Sequence, residues 1–457
     1  MNRSHELDLT KGSVFKELIV FALPILGVNI LQLLFSTADT VVLGRFAAES
    51  RATLAVGAVG ATTSLTNLLI GFFVGISLGA NVMVARSKGA QNSDGAKKYV
   101  GSSVLLSLVA GTVLLFIGFF GAKTFLTWLN CKDDLLDMAT VYLKIYFLGM
   151  PVIMFYNFAA SILRAVGDTF RPLIFLLIGG VLNVGLNIFF VTVIGLDVEG
   201  VAIATVASNA VSAVCCFAVM VKNKGYARLE FKFLRFFGIE TKEILYVGVP
   251  SGLQKVFFNI SNVIVAANIN ALGPFATSGN AVAQELERYV QEGGEAVAIS
   301  TLSFTSQNMG ARNIDRIKET IKKAILLILL YDFIIGGLTS AFSAPLCMAI
   351  RSDPNILPFA QTRLIIMASS FFIANMMGVF GYVMRGMGKS VTSMVISLFG
   401  GFVLRIIFIY ITGWLFPDSY TAIILMYPVT WVITVFIQIF FLRAIFGKIR
   451  RGIPVYE

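Results

Sequence analysis

The sequence predicts an all-α polytopic membrane protein: twelve transmembrane helices in two pseudo-symmetric six-helix lobes. Three observations carry this expectation. The 457 residues are 57% hydrophobic and only 13% charged, apolar runs recur along the whole chain, and the second half repeats the first. So few charges cannot cover a water-exposed surface. Runs of about 20 apolar residues, by contrast, each cross a hydrocarbon core of about 30 Å.

The apolar runs give the spans in order. In the first half they cover 18–43, 54–84, 99–121, 138–162, 172–195 and 199–221. In the second they cover 243–269, 277–304, 322–343, 359–384, 391–413 and 421–446. The first run follows a polar tail and is too long for a cleaved signal peptide, so it is expected to remain as a helix. The lone histidine, His5, falls in that tail and reads as a solvated side chain.

A net charge of +11 would suit a nucleic-acid partner if it were concentrated on one soluble face. It is distributed otherwise. With both termini cytoplasmic, 26 of the 36 Lys and Arg fall in inside segments and four within spans. Only Arg45, Arg51, Lys123, Lys132, Arg351 and Arg363 fall outside. This positive-inside asymmetry sets the orientation and accounts for the charge without nucleic acid. The expected location is the inner membrane of a bacterium, as a monomer in the bilayer. The four cysteines, two of them adjacent at Cys215 and Cys216, have neither metal-ligand spacing nor the pattern of a disulfide framework, and read as packing residues.

The internal repeat organises the chain. FKELIVFALP (15–24) lies over TKEILYVGVP (241–250) at an offset of 226. KGAQNSDGAKK (88–98) lies over MGARNIDRIKE (309–319), and LRAVGDT (163–169) over MRGMGKS (384–390), both at an offset of 221. Six spans per copy give both copies the same membrane orientation, with a cleft expected between them. The domains follow as an N-lobe (1–221), a cytoplasmic linker (222–242) and a C-lobe (243–457). There is no phosphate-binding Gly-rich loop, no His–Cys metal cluster and no Ser–His–Asp arrangement, so an enzyme is not expected and neither is a cofactor. An ion gradient is the remaining common energy source for transport.

Taken together, the first-span proline with ADT downstream, the LRAVGDT and MRGMGKS pair, FTSQNMGARN after span 8, and LNVGLN followed by GVAIAT resemble the multidrug and toxic compound extrusion (MATE) family. The resemblance covers essentially the whole chain. It implies export of small organic compounds, often cationic, in exchange for protons or sodium ions. A lipid-linked saccharide flippase of a related fold is the alternative, and it would call for a more basic central cavity.

Within span 1, Asn29, Gln32, Ser36 and Asp39 recur at helical spacing and form one polar stripe expected to face the bundle interior. Span 5 adds Asn183 and Asn187; span 6 adds Thr205, Ser208 and Asn209. Such groups can simply hydrogen-bond helices together. An intramembrane carboxylate is costlier, and Asp39 has no matching cation in the N-lobe spans except Lys144 near the outer edge of span 4. In the second copy Asp39 falls on Val265, Asn183 on Leu404 and Asn187 on Phe408, so the polar set belongs to one lobe. The resemblance implies a coupling-cation site built from Asp39, Asn157, Asn183 and Thr205, with position 187 as its second carboxylate. Here that position is Asn187. One aspartate can still carry a proton, since leaving water favours the protonated carboxyl. Sodium held by one carboxylate with amide and hydroxyl oxygens stands beside it.

The C-lobe carries its own charges. Glu285, Arg288, Glu292 and Glu295 share one face of span 8, with Glu287 pointing elsewhere, and span 7 supplies Lys255. Either these form a salt-bridge network, or the acidic face serves a cationic substrate or a proton. Glu285 is expected to pair with Arg288, leaving Glu292 and Glu295 for function. Asp332 in span 9 and Arg405 in span 11 read as members of structural ion pairs with partners unassigned.

Overall fold

The computed structural model describes residues 6–46 and 49–451, and every regular element among them is helical. His5 lies outside the described residues. In chain order the helices are α1 (Val14–Phe46), α2 (Glu49–Gly89), α3 (Ser93–Trp128), α4 (Asp133–Leu148), α5 (Met150–Ala165), α6 (Phe170–Ile188) and α7 (Val198–Lys222). There follow α8 (Gly238–Ala271), α9 (Pro274–Gly310), α10 (Ile314–Ala341), α11 (Ser343–Ile350), α12 (Leu357–Gly386), α13 (Ser390–Leu398), α14 (Leu404–Leu415) and α15 (Tyr420–Arg450). A π-helical turn, Phe189–Ile194, extends α6, and another, Phe399–Val403, joins α13 to α14.

Nine of the described helical stretches are long and apolar enough to cross a membrane, counting α13 to α14 as one. A tenth is α4 with α5, bent by 53° at Gly149. Pro151 has no N–H to give the preceding turn, which is why the helix breaks there. Helices α8 and α9 are equally long but interrupted by charged residues, and with them the count is roughly that of the twelve spans expected. The surface is that of a bilayer protein: Phe120, Phe333, Phe436 and Phe440 are largely exposed. Trp128 and Trp414, also exposed, sit at helix ends, where amphipathic rings favour the headgroup level.

The two copies agree in local geometry. Gln91 and Arg312 both take φ of 56°, and the asparagine after each caps the next helix: Asn92 accepts from Gly95 N at 2.9 Å, and Asn313 from Arg316 N at 3.2 Å. Gly167 (φ 91°) and Gly388 (φ 85°), again 221 residues apart, make the left-handed turns that end α5 and α12.

Packing divides the chain into two compact units. Among the described residues, one takes 6–8 and those within Gly27–Gly252, the other Leu9–Leu26 and 253–451. The crossings inside α1 and α8 lie two residues after Pro24 and Pro250, each of which removes a backbone hydrogen bond from its helix. The first unit centres on Leu114, Leu126, Leu143, Phe147 and Met150; the second has cores around Phe371, Ile424 and Trp431 and around Ala283, Ala360 and Leu364.

Within the first unit, α2 and the start of α8 cross through two Gly-x-x-x-Gly runs, Gly75–Gly79 and Gly248–Gly252. A side chain on Gly75 would fall on the Gly252 backbone, and one on Gly79 on the Ile244 carbonyl. Backbones approach this closely only where small residues allow it. Gly252→Leu is expected to lower the melting temperature of the purified protein through overpacking of about 1–3 kcal/mol. An unchanged melting curve would show that this crossing yields freely. Between α7 and α8 the linker is held by Glu230, which pairs with Lys97 and Lys232 at 3.0 Å each. Hydrogen bonds from Lys232 and Lys97 hold its carboxyl below the usual range.

Candidate functional site

In the first unit, glycine lets α1 and α6 come together: the Phe35 ring occupies the space a side chain on Gly180 would need. One turn beyond Phe35 is Asp39, and two turns beyond Gly180 is Asn187. Asn187 Nδ2 donates to Asp39 Oδ1 at 2.5 Å and to Asn183 Oδ1 at 3.3 Å. Asn183 Nδ2 donates to Thr205 Oγ1 at 3.4 Å, and Thr205 donates in turn to Val201 O at 2.9 Å. Asp39, Asn187, Asn183 and Thr205 thus form one chain across α1, α6 and α7. Asn183 and Asn187 are buried, 4% and 0% exposed, and Asn187 Oδ1 has no hydrogen-bond partner among the described residues. The π-helical turn begins two residues after Asn187.

Asn157 is turned differently, donating to Ile153 O of its own helix at 2.8 Å. Ser208 and Asn209 both bond to Thr205 O. Gln32 and Ser36 are exposed, so only the Asp39 end of the span 1 stripe joins the buried set. Two residues that sequence reasoning missed stand close enough to feel the Asp39 charge: Tyr142 and Tyr146 of α4, stacked at 6.0 Å. Their i, i+4 spacing in an apolar span was the available signal. No ion pair to Asp39 occurs among the described residues.

In the second unit, Glu285 and Arg288 pair at 3.6 Å, both more than half exposed. Glu287 turns the other way and is buried, and both its oxygens accept from Arg363 at 2.8 Å. Arg363 also donates to Asn280 Oδ1 at 2.9 Å. Arg363, expected in an outside segment, lies instead in the second turn of α12 and is 3% exposed, desolvated with its carboxylate rather than facing the headgroups.

Glu295 Oε1 accepts from Tyr382 OH at 2.5 Å, with Lys255 and Arg385 within electrostatic reach. The Arg385 guanidinium lies 4.8 Å from the Tyr382 ring and donates to Gln254. The Glu292 charge reaches Tyr331. Asp332 and Arg405, expected in ion pairs, have amide and hydroxyl partners instead. Asp332 accepts from Asn375 Nδ2 at 2.9 Å; Arg405 donates to Asn262 at 3.1 Å and Ser261 at 3.4 Å and lies 4.7 Å from the Tyr427 ring. Each stands on a helix whose neighbours offer neutral polar side chains at that level.

The MatE family model matches residues 24–189 and 250–411. Among curated proteins, the chain is similar to the probable multidrug resistance protein YoeA of Bacillus subtilis, 27% identical over 402 residues, 85% of each chain. It is 27% identical over 391 residues to the probable multidrug resistance protein NorM of Thermotoga maritima, covering 84% of this chain and 82% of that one. An FAD transporter of Shewanella oneidensis is 22% identical over 396 residues, 85% and 86% of the two chains. Among solved structures, the outward-facing form of a multidrug resistance MATE family transporter of the MOP superfamily matches 99% of this chain and 100% of its own, with a TM-score of 0.90 at 20% identity.

Proposed function

The chain belongs to the MatE family, whose members are membrane transporters and not enzymes, and from that premise we propose that it exports small organic cations in exchange for protons by alternating access. Export of drug-like compounds is supported by the relatives that carry multidrug resistance in their names. A cationic substrate is favoured by the acidic face of α9, where Glu292 and Glu295 are only partly buried. The FAD transporter handles an anionic compound, so charge preference is a point to measure rather than a family constant.

The observation that carries proton coupling is the pairing of Asp39 with a neutral amide. Asp39 Oδ1 accepts from Asn187 Nδ2 at 2.5 Å, a contact that suits an ionised carboxylate. Half a turn of the same amide would present Oδ1, now without a partner, to the hydroxyl of a protonated Asp39. The asparagine therefore serves both protonation states, whereas an aspartate at this position would repel the ionised one. A sodium ion would need several converging oxygens, whereas the group set against Asp39 Oδ1 here is the Asn187 nitrogen. Both termini on the cytoplasmic side complete this reading, on the Lys and Arg asymmetry.

Proteoliposomes loaded to impose a pH gradient are expected to move ethidium uphill, with the movement lost on adding a protonophore and indifferent to a sodium gradient. Asn187→Asp should change the pH dependence of that movement. Uphill ethidium transport on a sodium gradient that survives the protonophore would reverse the choice of ion.

A further inference from the structure

Asp332 lies in the middle of α10 and is 5% exposed. Its Oδ2 accepts from Asn375 Nδ2 at 2.9 Å, while its Oδ1 is buried without a hydrogen-bond partner among the described residues. A carboxylate with one oxygen unsatisfied in the interior is an expensive group. We propose that Asp332 is a second proton-exchanging site, contained wholly within the second unit: Oδ1 takes up a proton and later releases it, and Asn375 steadies the carboxyl between the two events.

Among the described residues, no cation pairs with Asp332. The two arginines of α12 are engaged elsewhere, Arg363 with Glu287 and Asn280, Arg385 with Gln254 and the Tyr382 ring. Helix α11 carries no charged residue, and its one titratable group is the buried Cys347. On α9, Glu285 pairs with Arg288, Glu287 with Arg363 and Glu295 with Tyr382. The negative charge of Glu292, on the same helix, reaches Tyr331, the neighbour of Asp332. The Tyr331 hydroxyl donates to Val290 O at 3.1 Å. With these arginines committed elsewhere, no cation on α9, α11 or α12 compensates an ionised Asp332 among the described residues, and burial makes that uncompensated form costly.

The repeat separates this pair from the requirements of the fold. At the 221 offset Asp332 falls on Gly111 and Asn375 on Met154. In the first unit Gly111 packs directly on the Pro151 backbone, with no room for a side chain. The two units thus each hold one aspartate bonded by an asparagine amide, Asp39 with Asn187 and Asp332 with Asn375, at positions the repeat does not relate. Proton exchange at Asp332 does not depend on proton exchange at Asp39.

Infrared difference spectra of the full chain in lipid, recorded as pH is varied, resolve the carbonyl stretch of each protonated carboxyl. Asp332→Asn is expected to remove one titrating component and Asp39→Asn a different one, with the double variant losing both. Asn375→Leu, which keeps the carboxyl, should shift the midpoint of the Asp332 component and leave that of Asp39 in place. It also serves as the readout if Asp332→Asn does not fold. Spectra of Asp332→Asn and Asn375→Leu that superpose on the wild type would overturn the proposal. So would loss of the Asp332 component on adding sodium at constant pH, which would make the site one for a metal cation.

Discussion

Asp39→Asn is expected to reduce pH-gradient-driven efflux to the level of empty liposomes while the protein still folds. The replacement keeps the size of the side chain and an oxygen able to accept from Asn187, so the stability change should stay near the ~1 kcal/mol of a single neutral hydrogen bond. What it removes is the capacity to change charge. An amide presents the same state on both sides of the membrane, and a cycle that cannot load a proton cannot be driven by one. The measurement is ethidium efflux beside a melting curve on the same preparation. Gradient-driven efflux at wild-type rate from a well-folded Asp39→Asn variant would remove Asp39 from the coupling site.

Arg363→Met should have the largest effect on stability. It strands the buried Glu287 carboxylate and the Asn280 oxygen, which together accept three hydrogen bonds from Arg363. Breaking one side of a buried pair costs about 3–5 kcal/mol, because the surviving charge stays desolvated. Replacing both partners by neutral groups of similar volume costs much less, so Glu287→Gln combined with Arg363→Met should recover most of the loss. Denaturation of the two singles and the double closes the cycle. If Arg363→Met costs no more than the roughly ±0.5 kcal/mol typical of a surface change, the pair is solvated in the membrane protein and the burial argument fails.

Composition and periodicity by themselves determined the class, the course of the apolar spans and the repeat. Those signals are local: a helix shows itself in spacings of three and four, and a span in the apolar length that crosses the bilayer. The pair Asn183 and Asn187, one turn apart, was legible for the same reason. Its junction with Asp39 came from a resemblance and needed α1 to lie on α6, 148 residues away in sequence. Partner choice by long or buried polar side chains was not legible. Arg363 reaches Glu287 across 76 residues and Asp332 takes Asn375 across 43, and nothing in either helix alone distinguishes these from many other pairings. Only tertiary packing decided them, because the energy of a buried charge depends on which neutral or opposite groups the neighbouring helices bring to its level, and that is set by helix rotation and depth rather than by spacing along one helix.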